Sequence, residues 1–344
     1  MVTMQQIADK CGVSRGTVDR ALHHKEGVRE EVAQRIRDTA RDMGYLPIRS
    51  TVKPVKEWKL GVILHSARSS FVQLLCQSFQ DFPQRENIPH VTVVIRTMDD
   101  MDVWHQLALI DELVNTEHID GLALMPLANT LIRDKINTLS EQKSIPVVTF
   151  NTDIADANRL AYIGPDNIAS GQAAAALMGM VMQGHGTCLP ILGQRSGHYG
   201  DSQRLTGFLE EMQKNYPNIR IMQPEYTFLD EELAKRITLR AIQSDSDLHG
   251  IYIASAGRTG VYQAIRQTGL AERIHVIVHD ATPDNMEMVR QGIVDFIIGQ
   301  DEQTQGNLPL RLLYDYLEHR HFPENRIHIT DITIKFRCNI NHSP

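Results

Sequence analysis

Two sets of residues in this chain have the types and spacing to do chemistry. The first lies near the start. Arg15, Gly16, Asp19 and Arg20 fall on the outward side of a short segment whose Val18, Ala21 and Leu22 face inward at helical spacing. A guanidinium there presents a planar fork of donors that matches the two acceptors guanine shows in the DNA major groove. The second set follows short apolar runs. Asn151 and Asp153 come after IPVVTF, Asp280 after HVIVH, Gln300 and Asp301 after FIIG, and Ser255 after GIYIA. Phe71 opens a helical segment. Any one of these suits a cap or a turn. Together, amides, carboxylates and an aromatic face suit a polyhydroxylated ligand, whose hydroxyls need both donors and acceptors.

Other chemistry finds little support. The sequence has no GxxxxGK followed by Ser or Thr, no GxSxG and no HExxH. Ser140 and Lys143 spell SxxK within a surface-type helical segment, and His319 and His321 flank Arg320 near a helix end, where a solvated pair is the plain reading. Gly193, Gly197 and Gly200 have the wrong spacing for a dinucleotide fingerprint. Cys11, Cys76, Cys188 and Cys338 are far apart and read as free thiols. No nucleophile–base pair can be named, so an enzyme is not expected, and neither a cofactor nor a metal.

The elements that must hold the first set are three helices. Thr3 can cap a helix from Met4 to Cys11, which Gly12 ends. Ser14 can cap a second helix through Leu22. A third runs from about Arg29 to Met43 on an inner stripe of Val32, Ile36, Ala40 and Met43, and Gly44 stops it. A helix, a glycine turn and a capped second helix form the helix-turn-helix pattern, in which the second helix enters the major groove.

The second set needs a different scaffold. LGVIL, VTVVI, GLALM, IPVVTF, CLPIL, GIYIA, HVIVH and FIIG alternate with helical patterns. That alternation is the signature of parallel sheets covered by helices, whose ligands bind at the carboxyl ends of strands. The count exceeds one sheet, so two lobes are expected, roughly 59–161 and 166–291, completed by a tail containing ITIKF. Charge divides along the same line: residues 1–59 carry +4 and the rest −11, within a net −7 over 344 residues. A positive head on an acidic body suits a protein that offers only its head to a polyanion. MVTMQQIADK lacks the charged start and apolar stretch of a signal peptide, and no apolar run approaches the roughly 18 residues of a membrane span. A cytoplasmic location without membrane contact is expected.

These motifs carry a family resemblance. IA…GVS, TV-x-R-x-L, the valine after a short loop and the closing GYLP resemble the headpiece of the lactose-repressor (LacI/GalR) family over some 45 residues. IPVVTFN, YIGPDN-x-x-SG-x-AA, RLTGF, HDATPD and IIGQ…QG resemble, in order, the ribose-type periplasmic binding proteins that these regulators share. The fold implied is an all-α helix-turn-helix headpiece over 1–46, a linker over 47–58, and a two-lobed periplasmic-binding-protein-like α/β domain with parallel sheets over 59–344. The resemblance places Arg15 and Gly16 at the main base-reading pair and Arg20 at a third base contact. It places Thr3, Ser14 and Thr17 at phosphate contacts. It implies ring stacking by Phe71 and hydroxyl contacts by Asn151, Asp280 and Gln300. The implied partners are double-stranded operator DNA, a small sugar-like effector and a second copy of the chain. The implied role is a repressor of carbohydrate uptake or catabolism genes.

Several positions depart from the pattern. Gly16 offers no side chain to a base. Asp19 replaces a serine and is expected either to accept from a cytosine amino group or to hold Arg15 or Arg20. In the linker, Thr51 and Pro54 stand where a hinge alanine and a wedge leucine belong, and Pro54 removes a helix donor. Arg49, Lys53 and Lys56 can instead meet phosphates, or the segment is a plain linker. Ser202 stands where an arginine often grips the sugar, Ala254-Ser255 replaces an Asn-Asp pair, and His279 replaces an aromatic residue and could meet an acidic group. A non-sugar effector, a silent pocket, or an architectural protein that binds DNA without sequence preference are the alternatives.

Overall fold

A computed structural model describes residues 2–23, 25–45, 56–193, 199–228, 230–255 and 258–340. The chain divides into two compact units, 1–56 and 57–344.

In the first unit, α1 (Met4–Cys11), α2 (Arg15–Leu22) and α3 (Glu30–Asp42) follow the expected helices closely. Thr3 and Gln6 form a reciprocal capping box: the Gln6 amide donates to Thr3 Oγ1, and the Thr3 amide to Gln6 Oε1. Gly12 takes φ 65°, the left-handed turn that lets α1 stop and Ser14 start α2. Ile7, Ala8, Cys11, Val18, Ala21, Leu22, Ala33, Ile36 and Ala40 form the small core.

The second unit is two α/β lobes. The first contains β1 (Trp58–His65), α4 (Ser70–Arg85), β2 (Val91–Met98), α5 (Val103–Asn115), β3 (Gly121–Leu124), α6 (Thr130–Gln142), β4 (Val147–Phe150) and β5 (Ala161–Gly164). The second contains α7 (Asn167–Val181), β6 (Thr187–Leu192), α8 (Tyr199–Asn215), the short β7 (Arg220–Ile221) and β8 (Glu225–Tyr226), α9 (Glu231–Ser244), β9 (Leu248–Ile253), α10 (Arg258–Thr268), β10 (His275–His279), α11 (Pro283–Arg290) and β11 (Phe296–Gly299). Then α12 (Glu302–His319) and β12 (Ile327–Ile329) return to the first lobe, and β13 (Thr333–Lys335) closes the second.

The first sheet runs β12-β5-β4-β3-β1-β2, all parallel. The second runs β13-β11-β10-β9-β6-β7, with β8 beside β6 and only β13 antiparallel. Each sheet carries an apolar cluster on both faces, which is why its strands read as continuous apolar runs rather than alternating ones. The expected second lobe stopped near 291. The observed one reaches β11, because Phe296 pairs with Ile277 in register before the chain turns back. The backbone passes between lobes at 165–166, 300–301 and 330–332. The carboxyl ends of β4, β10 and β11 open beside these passages.

Candidate functional site

The head presents the first candidate surface. Ser14 caps α2 by accepting from the Thr17 amide at 3.1 Å, and its Oγ lies 2.9 Å from Thr17 Oγ1. The cap fixes where the helix begins and so which residues lead it. Arg15, Gly16 and Arg20 are exposed, as are Thr3, its capping partner Gln6 and Ser14, while Thr17 and Asp19 are half-buried. Arg20 Nε reaches back to the Gly16 carbonyl at 3.2 Å. Asp19 does not hold an arginine as expected. Its Oδ2 takes Lys25 Nζ at 3.0 Å, with His23 at 3.8 Å from Oδ1. A helical turn brings His23 alongside, and the chain after α2 folds Lys25 back over Asp19. The Lys25 hydrogen bond is the leading cause holding the Asp19 carboxyl below its usual range. Arg49, Lys53, Thr51 and Pro54 lie outside the described residues; Lys56 is exposed.

In the body, the strand ends converge on a buried polar chain. Asn151, after β4, gives its Nδ2 to Gln305 Oε1 at 3.0 Å and approaches Gln300 Oε1 at 3.4 Å. Gln300, after β11, donates to Asp280 Oδ1. Asp280, after β10, meets Arg258 across 3.6 Å. Gln305 in the first turn of α12 donates to the Gln300 carbonyl at 2.7 Å. All but Arg258 are at most 7% exposed. Asn151, Asp280 and Asp301 hold φ of 60°, 75° and 56°. Such backbone is uncommon outside glycine, is tolerated best by Asn and Asp, and gathers at functional sites.

A second buried group lies at the ends of β6 and β9. Ser255 Oγ donates to Asp201 Oδ2 at 2.6 Å and accepts from the Gly193 amide at 3.1 Å. Arg204 donates to Asn167 Oδ1 at 2.9 Å and to the Ala254 carbonyl at 2.8 Å. A cavity of about 140 Å³ adjoins these groups, lined by Thr152, Asp153, Tyr162, Pro165, Asp166, Asn167 and Gln203.

The other expected residues fall differently. Asp153 lines that cavity, with its carboxylate taken by Arg159 and by Thr149 Oγ1 at 2.7 Å. Phe71 is 4% exposed and packs in the first lobe's core, on the same helix stripe as Val72, Leu75 and Phe79. Ser202 is exposed; one residue earlier on α8, Asp201 is the inward side chain. His279 is fully buried, with Nε2 2.9 Å from Tyr252 Oη. Burial foremost, then the charge of Arg204, holds its pKa well below the ordinary value. It therefore stays neutral and supplies no cation to an acidic group.

Sequence reasoning missed Gln305, Arg204, Arg258 and Glu302 as site residues. Gln305 had a signal: it is a polar residue on the buried stripe that continues to Pro309, Leu310, Leu313 and Leu317. Among the described residues there is no cluster of three or more metal-ligating side chains, and no helix is long and apolar enough to cross a membrane.

Comparison with known proteins places both surfaces in context. Residues 3–47 match the model of bacterial regulatory proteins, lacI family, and residues 60–321 match that of the periplasmic binding protein domain. Catabolite control protein A of Staphylococcus aureus is 22% identical over 216 residues, 62% of this chain and 62% of that protein. The HTH-type transcriptional regulator IpsA of Corynebacterium glutamicum is 30% identical over 137 residues, 37% of this chain and 36% of its own length. The chain thus matches less than two thirds of the length of these curated relatives. A solute-binding protein of Burkholderia graminis, solved in complex with D-arabinose, has a TM-score of 0.76 at 21% identity, covering 85% of this chain and 99% of that one. That likeness is one of fold.

Proposed function

The chain belongs to the periplasmic binding protein domain family and opens with a lacI-family head, and from that premise we propose a ligand-responsive, sequence-specific DNA-binding transcription regulator. One observation carries the reading: a capped helix-turn-helix with Arg15 and Arg20 exposed shares a chain with a two-lobed body whose strand ends meet in a buried polar chain.

In this reading α2 enters the major groove. Arg15 reads a guanine, with Gly16 and Arg20 beside it; Thr3, Ser14 and Thr17 meet phosphates, and Asp19 acts through Lys25. Arg49 of the linker adds a phosphate contact. The body binds a small sugar-like effector between its lobes, contacted by Asn151, Asp153, Ser255, Asp280 and Gln300, with Phe71 and His279 behind them. Two copies of the chain bring two heads to a roughly symmetric operator. The effector acts by its different affinity for the open and closed lobes, and so alters how well two heads fit two half-sites. The chain works in the cytoplasm as a repressor of carbohydrate uptake or catabolism genes.

The test is selection of bound sites by the full-length chain from a pool of random duplexes, followed by affinity measurement with and without candidate effectors. A recovered two-fold symmetric sequence, preferred at least about a thousandfold over random DNA, is the expected outcome. Equal affinity for selected and random duplex with a steep salt slope would replace this reading with an architectural one.

A further inference from the structure

One guanidinium at the end of the buried polar chain has hydrogen-bonding capacity that the described residues do not use. Arg258 opens α10, and its side chain is only 16% exposed. Its ion-pair partner among the described residues is Asp280, with Nη2 3.6 Å from Oδ2. That separation is too long for a hydrogen bond. A guanidinium has five N–H donors, and those of Arg258 are half-buried without being sealed from solvent, so an incoming acceptor can reach them.

Neighbouring arginines show the contrast. Arg204 is anchored on Asn167 and the Ala254 carbonyl, and Arg159 closes its fork on Asp153. Asp280 does not close on Arg258 in the same way: Oδ2 faces the guanidinium but stops 3.6 Å from it. Its Oδ1 is taken by Gln300, its amide donates to the Ile298 carbonyl at 2.9 Å, and its own carbonyl accepts from Asn285 at 2.7 Å. The carboxylate is pinned, and the arginine stops short of it. Arg258 also occupies the first residue of a helix whose first turn carries no acidic residue. The helix dipole disfavours a cation there; Asp280 offsets this in part across 3.6 Å, and a ligand anion in direct contact would offset it further.

We propose that the effector of this cleft carries an anionic group, a carboxylate or phosphate on a polyhydroxylated body, and that Arg258 grips it. The inference rests on reading the body as an effector sensor. The planar fork matches either anion by paired hydrogen bonds, and Asp280 Oδ2, on the Arg258 side of the carboxylate, can accept from a hydroxyl of the same ligand. The local charge tolerates the newcomer. Arg204 and Arg258 offset Asp201 and Asp280, and burial, with Asp280 and Asp301 nearby, raises the pKa of Glu302. A neutral sugar offers the guanidinium hydroxyl oxygens but no charged, paired acceptor, so an anionic ligand gains more from this contact.

The test compares matched probes on the full-length chain by calorimetry: D-glucose with D-glucuronate and D-glucose 6-phosphate, D-galactose with D-galacturonate, and D-ribose with D-ribose 5-phosphate. At least one anionic probe should bind about tenfold or more tightly than its neutral parent, and the two kinds of acid separate carboxylate from phosphate. Arg258→Gln should collapse that ratio by about tenfold, and Arg258→Lys, which keeps the charge without the fork, should restore part of it. Neutral probes binding as tightly as their acids, no anionic probe binding, or Arg258→Gln retaining the wild-type ratio each overturn the proposal. Operator selection on the same wild-type preparation keeps the two readings apart. Specific DNA binding with a neutral-sugar preference sinks only the anion proposal, whereas anion preference without specific DNA binding sinks only the regulator.

Discussion

Arg15 is the first residue of α2, placed there by a serine cap that the sequence announces. Arg15→Ala should cost roughly 1–3 kcal/mol of specific binding and relax the preference for one base pair, read by titrating operator variants. An unchanged preference would remove Arg15 from base reading. The head's outward residues were legible because a cap and a glycine stop fix helical phase to the residue. The cleft was legible only in part. Residue types and their positions after strands point to Asn151, Asp280 and Gln300, but which atoms they bond depends on partners from other elements, such as Gln305 for Asn151. Ser202 and Asp201 show the limit: a step of one residue on a helix turns the side chain by about 100°, from cleft to solvent. Glu302 gives a residue-level test in pH. Its Oε1 accepts from the Ala281 amide, and burial first, then Asp280 and Asp301, raises its pKa above the ordinary 4.5. A raised carboxyl pKa contributes stability that is complete below pH 4.5 and is lost as pH rises through the folded value. Glu302→Gln keeps the acceptor without the charge. It should therefore melt higher than wild type at pH 7, with the gap closing toward pH 4; a gap that is constant in pH would assign the effect to something other than titration.

At the scale of elements, the second lobe depends on helices that touch backbone to backbone. A Cβ on Gly171 of α7 would lie 2.0 Å from the Arg204 carbonyl oxygen of α8, and one on Gly207 of α8 would lie 2.1 Å from the Ile168 carbonyl oxygen of α7. These reciprocal glycines let α7 and α8 cross closely, which in turn sets Arg204 against Asn167. Gly207→Ala adds one methyl where backbone, not a flexible side chain, must yield. It should cost about 1–3 kcal/mol or more in denaturant unfolding, and it should blur the near-UV signature of Tyr252, which stacks on Phe208 at 4.2 Å. A variant as stable as wild type would mean the helices separate freely. The sequence displayed both glycines inside YIGPDN-x-x-SG-x-AA and RLTGF, but not that they face each other. Strands of only four residues were legible where the apolar run is unbroken, as in GLALM, IPVVTF and FIIG. Ala161–Gly164, followed at once by Pro165, and Ile327–Ile329, interrupted by His328, were not singled out as strands.

At the scale of the whole body, the lobes are joined by backbone at 165–166, 300–301 and 330–332 and, among the described residues, by a buried polar chain. Gln305 is its keystone: it accepts from Asn151 of the first lobe and donates to the carbonyl of Gln300, where β11 of the second lobe hands over to α12. Gln305 is fully buried, so Gln305→Ala leaves the Asn151 amide and the Gln300 carbonyl without those partners in a dry site. Orphaned buried groups cost about 1–3 kcal/mol each before relaxation, so a loss of that order in body stability is expected. A purely structural role would end there. A role in signalling adds a second consequence, because coupling between two sites requires an element with two arrangements that both sites bias. If this chain of amides is what changes when the lobes open and close, Gln305→Ala will shrink the effector-induced change in operator affinity by more than it weakens the effector itself. Operator affinity at zero and saturating effector, measured by anisotropy on wild type and variant, separates the cases. An unchanged ratio in a destabilised variant confines Gln305 to holding the lobes together. A ratio that falls toward one makes the Asn151–Gln305–Gln300–Asp280 chain the route by which a ligand in the cleft is felt at the head.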